Sequence, residues 1–225
     1  MWAAILLLPL CVGMGRALWD LIQGIGISDT TLAPIAAGVF CMVLLYVSLP
    51  KPMRIYVFGH EFTHALATML CGGRVREMKV GAESGHVLVS KDNFFITLAP
   101  YFVPLYTMFA LVVFAIGRAV GYWQDGMAWG VFCWVLGVTY AFHILLTWRI
   151  LKVRQPDITS QGYLFSGVII FIGNALVLLG GLPLLLDGPH LADVGGLVVE
   201  GTGQTLGDLA RLGRAAWEAG NSALN

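Results

Sequence analysis

Residues 55–67 of this chain read IYVFGHEFTHALA, so two histidines and a glutamate stand inside an otherwise apolar run. The chain as a whole is short of charge: 58% of its 225 residues are hydrophobic and only 12% are charged. A soluble domain usually has about 25% charged residues. Because ionisable side chains are costly at membrane depth, the sequence predicts a membrane protein in which His60, Glu61 and His64 have a compensating partner.

Apolar segments that approach or exceed the length of a membrane-spanning helix, about twenty residues, recur along the chain. They are residues 2–22, 32–49, 53–71, 94–117, 127–148 and 161–186. The third is short and contains the histidines. No basic residue precedes the first segment, so we interpret it as a retained span rather than a cleaved signal peptide. The pattern predicts five or six transmembrane helices.

The main polar insert, residues 72–93, lacks a helical pattern. Val75, Met78 and Val80 lead to a glycine-containing turn at residues 81–85, and the β-prone residues 86–90 follow. Two short β-rich runs about such a turn are typical of a hairpin. Its open edges would be unsatisfied in lipid, so we expect the hairpin at the interface or packed on protein.

The C-terminal residues 191–225 change character, because leucines recur near helical spacing with charged residues between them. This pattern predicts an amphipathic helix that lies on the membrane or on the helix bundle. The predicted fold is therefore an all-α membrane protein, a bundle of five or six transmembrane helices with a small β-hairpin insert after the motif helix. We divide it into a transmembrane domain, residues 1–190, and an amphipathic tail, residues 191–225.

Charge and cysteine usage exclude two further classes. Thirteen basic and thirteen acidic residues give a formal net charge of zero, and without a basic run we expect no nucleic-acid partner. None of the four cysteines forms a C-x-x-C pair. We interpret them as small buried hydrophobic residues rather than as a disulfide framework or a thiolate metal site.

The pattern H-E-x-x-H at residues 60–64 has a geometric meaning on a helix. Positions i and i+4 lie on one face, one turn apart, so His60 and His64 can aim a ring nitrogen at one metal ion. Glu61 lies between them, within reach of a water molecule at that ion. Two neutral nitrogen ligands and one general base are typical of a zinc site that activates water. A chance match is the alternative, but an unpaired cluster of this kind is expensive in lipid.

Two other polar residues stand within apolar segments. His143 could bind a metal, contact a substrate carbonyl group, or form a hydrogen bond with a neighbouring helix. Asn174 could contact a substrate backbone or bond between helices, as amides in membrane helices do. Both are candidates for a substrate-binding or secondary site.

The residues around the motif resemble the site-2 protease family of intramembrane zinc metalloproteases. The similarity lies in the sequence GHEFTHAL at residues 59–66, the glycine step LCGGRV at residues 70–75, the β-rich insert, and the start of the next span at residues 98–104. It implies hydrolysis of a peptide bond in or beside the membrane, with His60 and His64 as zinc ligands and Glu61 as the base. The family's second motif, N-x-x-P-x-x-x-L-D-G, is not reproduced with its spacing, although residues 186–188 read LDG.

A catalytic zinc site normally has three protein ligands, so the two histidines leave one position open. Asp157 and Asp187 are the aspartates that stand beside apolar spans in the second half of the chain. Asp157 is nearer in sequence, which resembles the compact arrangement of the family, and it precedes a span whose helix N-terminus favours a carboxylate. We predict Asp157 as the third ligand, with Asp187 as the alternative and His143 after it.

The favoured function is that of an intramembrane zinc metalloprotease, an enzyme that acts on membrane-embedded or membrane-adjacent proteins. We expect a multi-pass protein of a bacterial-type cell membrane, with the lipid bilayer and a membrane protein substrate as its partners. Two other classes remain open: a catalytically silent metal-binding scaffold, and a metal transporter. A transporter would spread metal ligands over several spans, and apart from His143 the other spans nearly lack them.

Overall fold

A computed structural model describes residues 2–24, 29–82, 84–123, 125–185 and 191–222. Within these ranges the chain is mostly helical, with one small sheet. In chain order the elements are α1 (Trp2–Gly24), α2 (Asp29–Ser48), α3 (Met53–Leu70), β1 (Val75–Val80), β2 (Gly85–Val89), α4 (Phe94–Leu98), a 3₁₀ turn (Ala99–Tyr101), α5 (Leu105–Ala119), α6 (Gly126–Leu151), α7 (Pro156–Gln161), α8 (Tyr163–Leu185) and α9 (Leu191–Ser222).

Four helices among the described residues are long and apolar enough to cross a membrane. These spans are Trp2–Gln23, Thr30–Ser48, Gly126–Leu151 and Tyr163–Pro183, and the bent pair α4–α5 brings the number to five. The hairpin is present as a two-stranded antiparallel sheet directly after α3. The prediction of an all-α membrane protein with a small β-hairpin insert is confirmed.

The predicted span over residues 94–117 consists of two helical parts rather than one continuous helix. The chain bends by 79° between Phe94–Tyr101 and Leu105–Ala119. Pro100 and Pro104 lie at this break, and proline has no N–H to continue the helical hydrogen bonds. The first half of the segment, α4 and the 3₁₀ turn, packs beside the motif helix.

The motif helix α3 is not among the apolar spans found in the described ranges. Its eighteen residues include Arg54, His60, Glu61 and His64, and these polar groups lower its hydropathy. Glu61 and His64 are nevertheless buried inside the protein. Contacts with protein rather than with lipid therefore accommodate them.

Two compact units make up the chain, and the first, which we call the motif unit, is residues 27–166. In it α2 packs tightly on α6 at two glycines. A Cβ atom on Gly38 would lie 2.2 Å from the carbonyl oxygen of Trp134, and one on Gly137 would lie 2.2 Å from that of Ile35. The two backbones are therefore in direct contact, which only glycine permits at these positions.

The second unit, Met1–Gly26 with Gly167–Asn225, contains α1 and α9. Its core is formed by Met14, Ala17, Leu21, Ala175, Leu179 and Val194. Arg16 of α1 forms a salt bridge with Asp208 of α9, with 2.7 Å between Nη2 and Oδ2. Residues 191–222, predicted as an amphipathic tail, thus form a helix that packs along α1.

The end of α3 directs the chain into the hairpin. Gly72 has a φ of 71°, the left-handed conformation that glycine adopts most easily. The Gly73 N–H donates to the carbonyl oxygen of Thr68 and the Gly72 N–H to that of Met69, which is a Schellman helix end. The strands then pair with Met78 opposite Val87 and Val80 opposite Gly85.

Candidate metal centre

The helix α3 places two imidazoles one turn apart. The ring centroids of His60 and His64 are 4.9 Å apart, and their side chains are only 11% and 10% exposed. The i, i+4 spacing that suggested a shared face in the sequence thus produces two adjacent imidazoles, a partly buried one at His60 and a buried one at His64.

A carboxylate from the short helix α7 completes a group of three possible ligands. The Oδ2 atom of Asp157 lies 3.4 Å from Nε2 of His60 and 3.5 Å from Nε2 of His64. One ligand atom from each residue lies within 4.8 Å of the others. Asp157 stands in the first turn of its helix, after Pro156, at a position where proline is tolerated. The alternative ligand Asp187 lies outside the described residues.

A backbone carbonyl group sets the tautomer of the neutral His64 ring. Its Nδ1 atom lies 2.8 Å from the carbonyl oxygen of Ile96, which can only accept, so Nδ1–H is the donor. The neutral ring then has its lone pair on Nε2, the atom that faces Asp157. The Ile96 carbonyl group is free to accept because the residue four positions later is Pro100, which has no N–H to donate to it.

This arrangement fits a zinc ion. In that tautomer Nε2 of His64 and the carboxylate oxygen of Asp157 are both acceptors, 3.5 Å apart, and a cation between them would bind to both. Zinc binds nitrogen and carboxylate ligands at about 2.0–2.2 Å in a tetrahedron, which separates neighbouring ligand atoms by about 3.4 Å. The two measured separations, 3.4 and 3.5 Å, agree with this spacing.

Tyr101 contacts the same carboxylate oxygen as the two histidines. Its hydroxyl group donates to Oδ2 of Asp157 over 2.9 Å, and its ring packs edge-on against His60, with 5.2 Å between centroids. Burial raises the pKa of the Asp157 carboxyl group, but the contacts with His60 and His64 outweigh burial and hold the pKa below its usual range. The carboxylate is therefore ionised, as a metal ligand must be.

Glu61 is buried beside the ligand group and lies against the hairpin. It is 7% exposed. The first residue of β2, Gly85, approaches it so closely that a Cβ atom there would lie 2.7 Å from Cγ of Glu61. The hairpin therefore forms one wall of the environment of Glu61.

The comparison with protein families agrees with this geometry. The family model described as Peptidase M50B-like matches residues 32–153, more than half of the chain. The chain belongs to this family of site-2 proteases. No curated protein and no solved structure gives a match. Members of the M50 family depend on zinc, and site-2 proteases are embedded in membranes.

The matched range in this M50B-like chain extends from α2 to just beyond α6, so it includes the motif helix and the hairpin. It ends before Asp157. The matched range therefore includes His60, Glu61 and His64. The place of Asp157 beside the two histidines comes from the geometry alone.

The two remaining candidate residues of this M50B-like chain differ in their surroundings. His143 is buried on α6 and lines a small pocket with His60. Asn174 lies on α8, where its amide group donates to the carbonyl oxygen of Ile170 over 2.9 Å. That bond lies within its own helix.

Sequence reasoning missed two groups that form hydrogen bonds with the candidate ligands. They are the carbonyl group of Ile96, which bonds to His64, and the hydroxyl group of Tyr101, which bonds to Asp157. A signal for the first was present, since a proline four residues after Ile96 leaves that carbonyl group without a helical donor. Tyr101 gave no comparable signal, because its contact with Asp157 joins residues 56 positions apart in the sequence.

Proposed function

We propose that this chain is an intramembrane zinc metalloprotease that hydrolyses peptide bonds of membrane-embedded or membrane-adjacent proteins in a bacterial-type cell membrane. His60, His64 and Asp157 would hold the zinc ion, and Glu61 would act as the general base. One observation carries the proposal: ligand atoms of these three residues lie within 4.8 Å of one another beside a buried glutamate, in a chain of a peptidase family.

Zinc, when bound, supplies the positive charge that polarises the scissile carbonyl group and makes a nearby water molecule nucleophilic at neutral pH. Glu61 has the complementary task. Its carboxylate accepts a proton from the attacking water and then delivers it to the nitrogen of the leaving amine. Its burial, with 7% exposure, limits the access of other water to this proton.

The residues around the ligands keep them in the required state. The carbonyl oxygen of Ile96 accepts from Nδ1–H of His64, so Nε2 presents its lone pair. The hydroxyl group of Tyr101 fixes the orientation of the Asp157 carboxylate. Such outer hydrogen bonds orient metal ligands and raise the basicity of a ligating histidine.

The hairpin is the candidate for holding the substrate in an extended form. Strand β2 begins at Gly85, against Glu61 and Val57 of the motif helix. In the described part of the chain, β2 pairs only with β1, so its other edge has no strand partner. An extended peptide can add to such an edge through main-chain hydrogen bonds, independently of its side chains. A helical substrate has to unwind before its peptide bond is attacked, and this edge would stabilise the unwound form.

The test compares the wild type with Glu61→Gln, both purified in detergent as the full chain, on a membrane-embedded peptide reporter. The amide cannot accept a proton, so we expect cleavage to fall by at least about 100-fold, while zinc stays bound because no ligand is changed. His64→Ala is the control that should lose both zinc and cleavage. Undiminished cleavage by Glu61→Gln would remove Glu61 from the mechanism, and a zinc-loaded wild type without cleavage would favour the silent scaffold.

A further inference from the structure

The two histidines of the motif differ in how their outer ring nitrogens are satisfied. Nδ1 of His64 bonds to the carbonyl oxygen of Ile96 at 2.8 Å. Nδ1 of His60 is buried and has no hydrogen-bond partner among the described residues. A histidine that binds a metal almost always donates its second ring N–H to an oxygen, and this bond fixes its tautomer. His60 therefore requires an acceptor that its protein neighbours do not supply.

A small pocket lies beside His60. Its volume is about 20 Å³, and its lining includes residues of α3, of α5, and of α6. Its lining includes Tyr56, His60, Thr63, Tyr106, Phe142 and His143. About 10–15 Å³ on this scale is enough for one water molecule. The pocket thus has room for one water molecule and is too small for a substrate side chain.

Most polar side chains that line this pocket already have partners. The Thr63 hydroxyl group donates to the carbonyl oxygen of Gly59 over 2.7 Å, and the Tyr106 hydroxyl group donates to that of Ile55 over 2.5 Å. The hydroxyl group of Tyr56 bonds to a threonine of α6 at 3.4 Å. The imidazole rings of His60 and His143 remain, and each has one buried nitrogen without a hydrogen-bond partner among the described residues.

His143 has the second unpaired ring nitrogen. Its residue is 7% exposed, and its Nε2 atom is buried without a hydrogen-bond partner in the described ranges. An unpaired buried nitrogen destabilises a fold, and buried polar atoms of native proteins are generally paired with protein or with ordered water. The two residues that have such a nitrogen, His60 and His143, both line one pocket of the size of a water molecule.

We propose that this pocket holds one water molecule that bridges Nδ1 of His60 and Nε2 of His143, and that His143 is thereby a positioning residue for the zinc ligand His60. The Nδ1–H group of His60 donates to the water oxygen, and the water donates one of its hydrogens to Nε2 of His143. These two hydrogen bonds fix His60 in the tautomer that has its hydrogen on Nδ1 and its lone pair on Nε2, the atom that faces Asp157. The inference rests on the proposed zinc site, and it assigns the outer bond of His60 to a second helix, α6.

The experiment measures the zinc affinity of the purified full chain by competition with a chelating dye. His143→Leu removes the acceptor, and loss of an outer partner typically weakens metal binding by about 10- to 100-fold. His143→Gln retains an amide group that can accept from the water, so we expect it to recover most of that affinity. Phe142→Leu, which alters the packing of the same pocket without changing a hydrogen-bonding group, should bind zinc as the wild type does.

The outcomes separate this inference from the proposed function. A wild type that binds zinc, with His143→Leu weakened and His143→Gln restored, supports the water bridge. Equal affinity of His143→Leu and wild type overturns the inference and leaves the proposed function standing. Equal weakening by His143→Leu, His143→Gln and Phe142→Leu also overturns it, because packing would then explain the effect. A wild type that binds no zinc overturns both.

Discussion

Replacement of Gly85 by alanine should separate catalysis from zinc binding. The added Cβ atom would lie 2.7 Å from Cγ of Glu61, 2.9 Å from Cγ1 of Val57 and 2.8 Å from the carbonyl oxygen of Lys79. Carbon atoms in contact prefer about 3.5–4.0 Å, so Glu61 or the strand has to move by about 1 Å. Gly85 is not among the residues with positive φ. Crowding, and not backbone strain, is therefore the perturbation.

The size of the effect follows from that displacement. A misplacement of about 1 Å at a catalytic group can lower the rate by about 100-fold, and overpacking costs about 1–3 kcal/mol of stability. The zinc ligands are not among the atoms that the new Cβ meets, so the zinc content of Gly85→Ala should equal that of the wild type. Reporter cleavage and zinc analysis are measured on one preparation. Gly130→Ala, where a Cβ atom meets nothing within 4 Å, is the control. Wild-type cleavage by Gly85→Ala would refute the reasoning, as would a loss of cleavage that only accompanies a loss of zinc.

Three further predictions concern the third ligand, the helix packing and the hairpin. Loss of a residue that hydrogen-bonds to a metal ligand typically weakens metal binding by about 10- to 100-fold, and Asp157→Ala should lower zinc affinity by more than that. Asp187→Ala should leave zinc affinity unchanged. A zinc titration in which Asp187→Ala is the weaker binder would show that the wrong aspartate was chosen. Gly137→Ala should destabilise the protein by about 1–3 kcal/mol or more, because its Cβ would lie 2.2 Å from a carbonyl oxygen of α2. Gly130→Ala on the same helix should leave the stability unchanged. Unfolding in detergent measures both, and equal stability of the two variants would contradict the packing of α2 on α6. Proline at each position of residues 87–89 should reduce turnover where the strand edge pairs with substrate, and the strand-addition idea fails if turnover is untouched at all three.

The local part of the candidate site was accessible from the sequence. The spacing of His60 and His64 places two side chains on one helix face, and the structure gives ring centroids 4.9 Å apart. The hairpin after Leu70 was also accessible, because glycine residues mark both the end of α3 and the turn. Such features depend on neighbours a few positions away in the chain.

The remainder depends on contacts that spacing does not encode. From the sequence, Asp157 was preferred to Asp187 only for its distance along the chain and its position before a helix. The structure places its Oδ2 atom 3.4 Å from Nε2 of His60 and 3.5 Å from Nε2 of His64. The break at Pro100 and Pro104 was overlooked because the segment around them is apolar throughout. Hydrophobicity indicates that a segment is buried, but it does not indicate whether the segment runs straight.

The zinc content of the purified protein tests the central claim most directly. Metal analysis of the wild type and of His64→Ala, prepared in parallel in zinc-containing buffer, compares an intact ligand group with one that lacks a nitrogen. The account predicts about one zinc ion per chain in the wild type and little in His64→Ala, since three protein ligands are the usual minimum for a catalytic site. A wild type that contains no zinc, or a His64→Ala variant that retains a full equivalent, would contradict it.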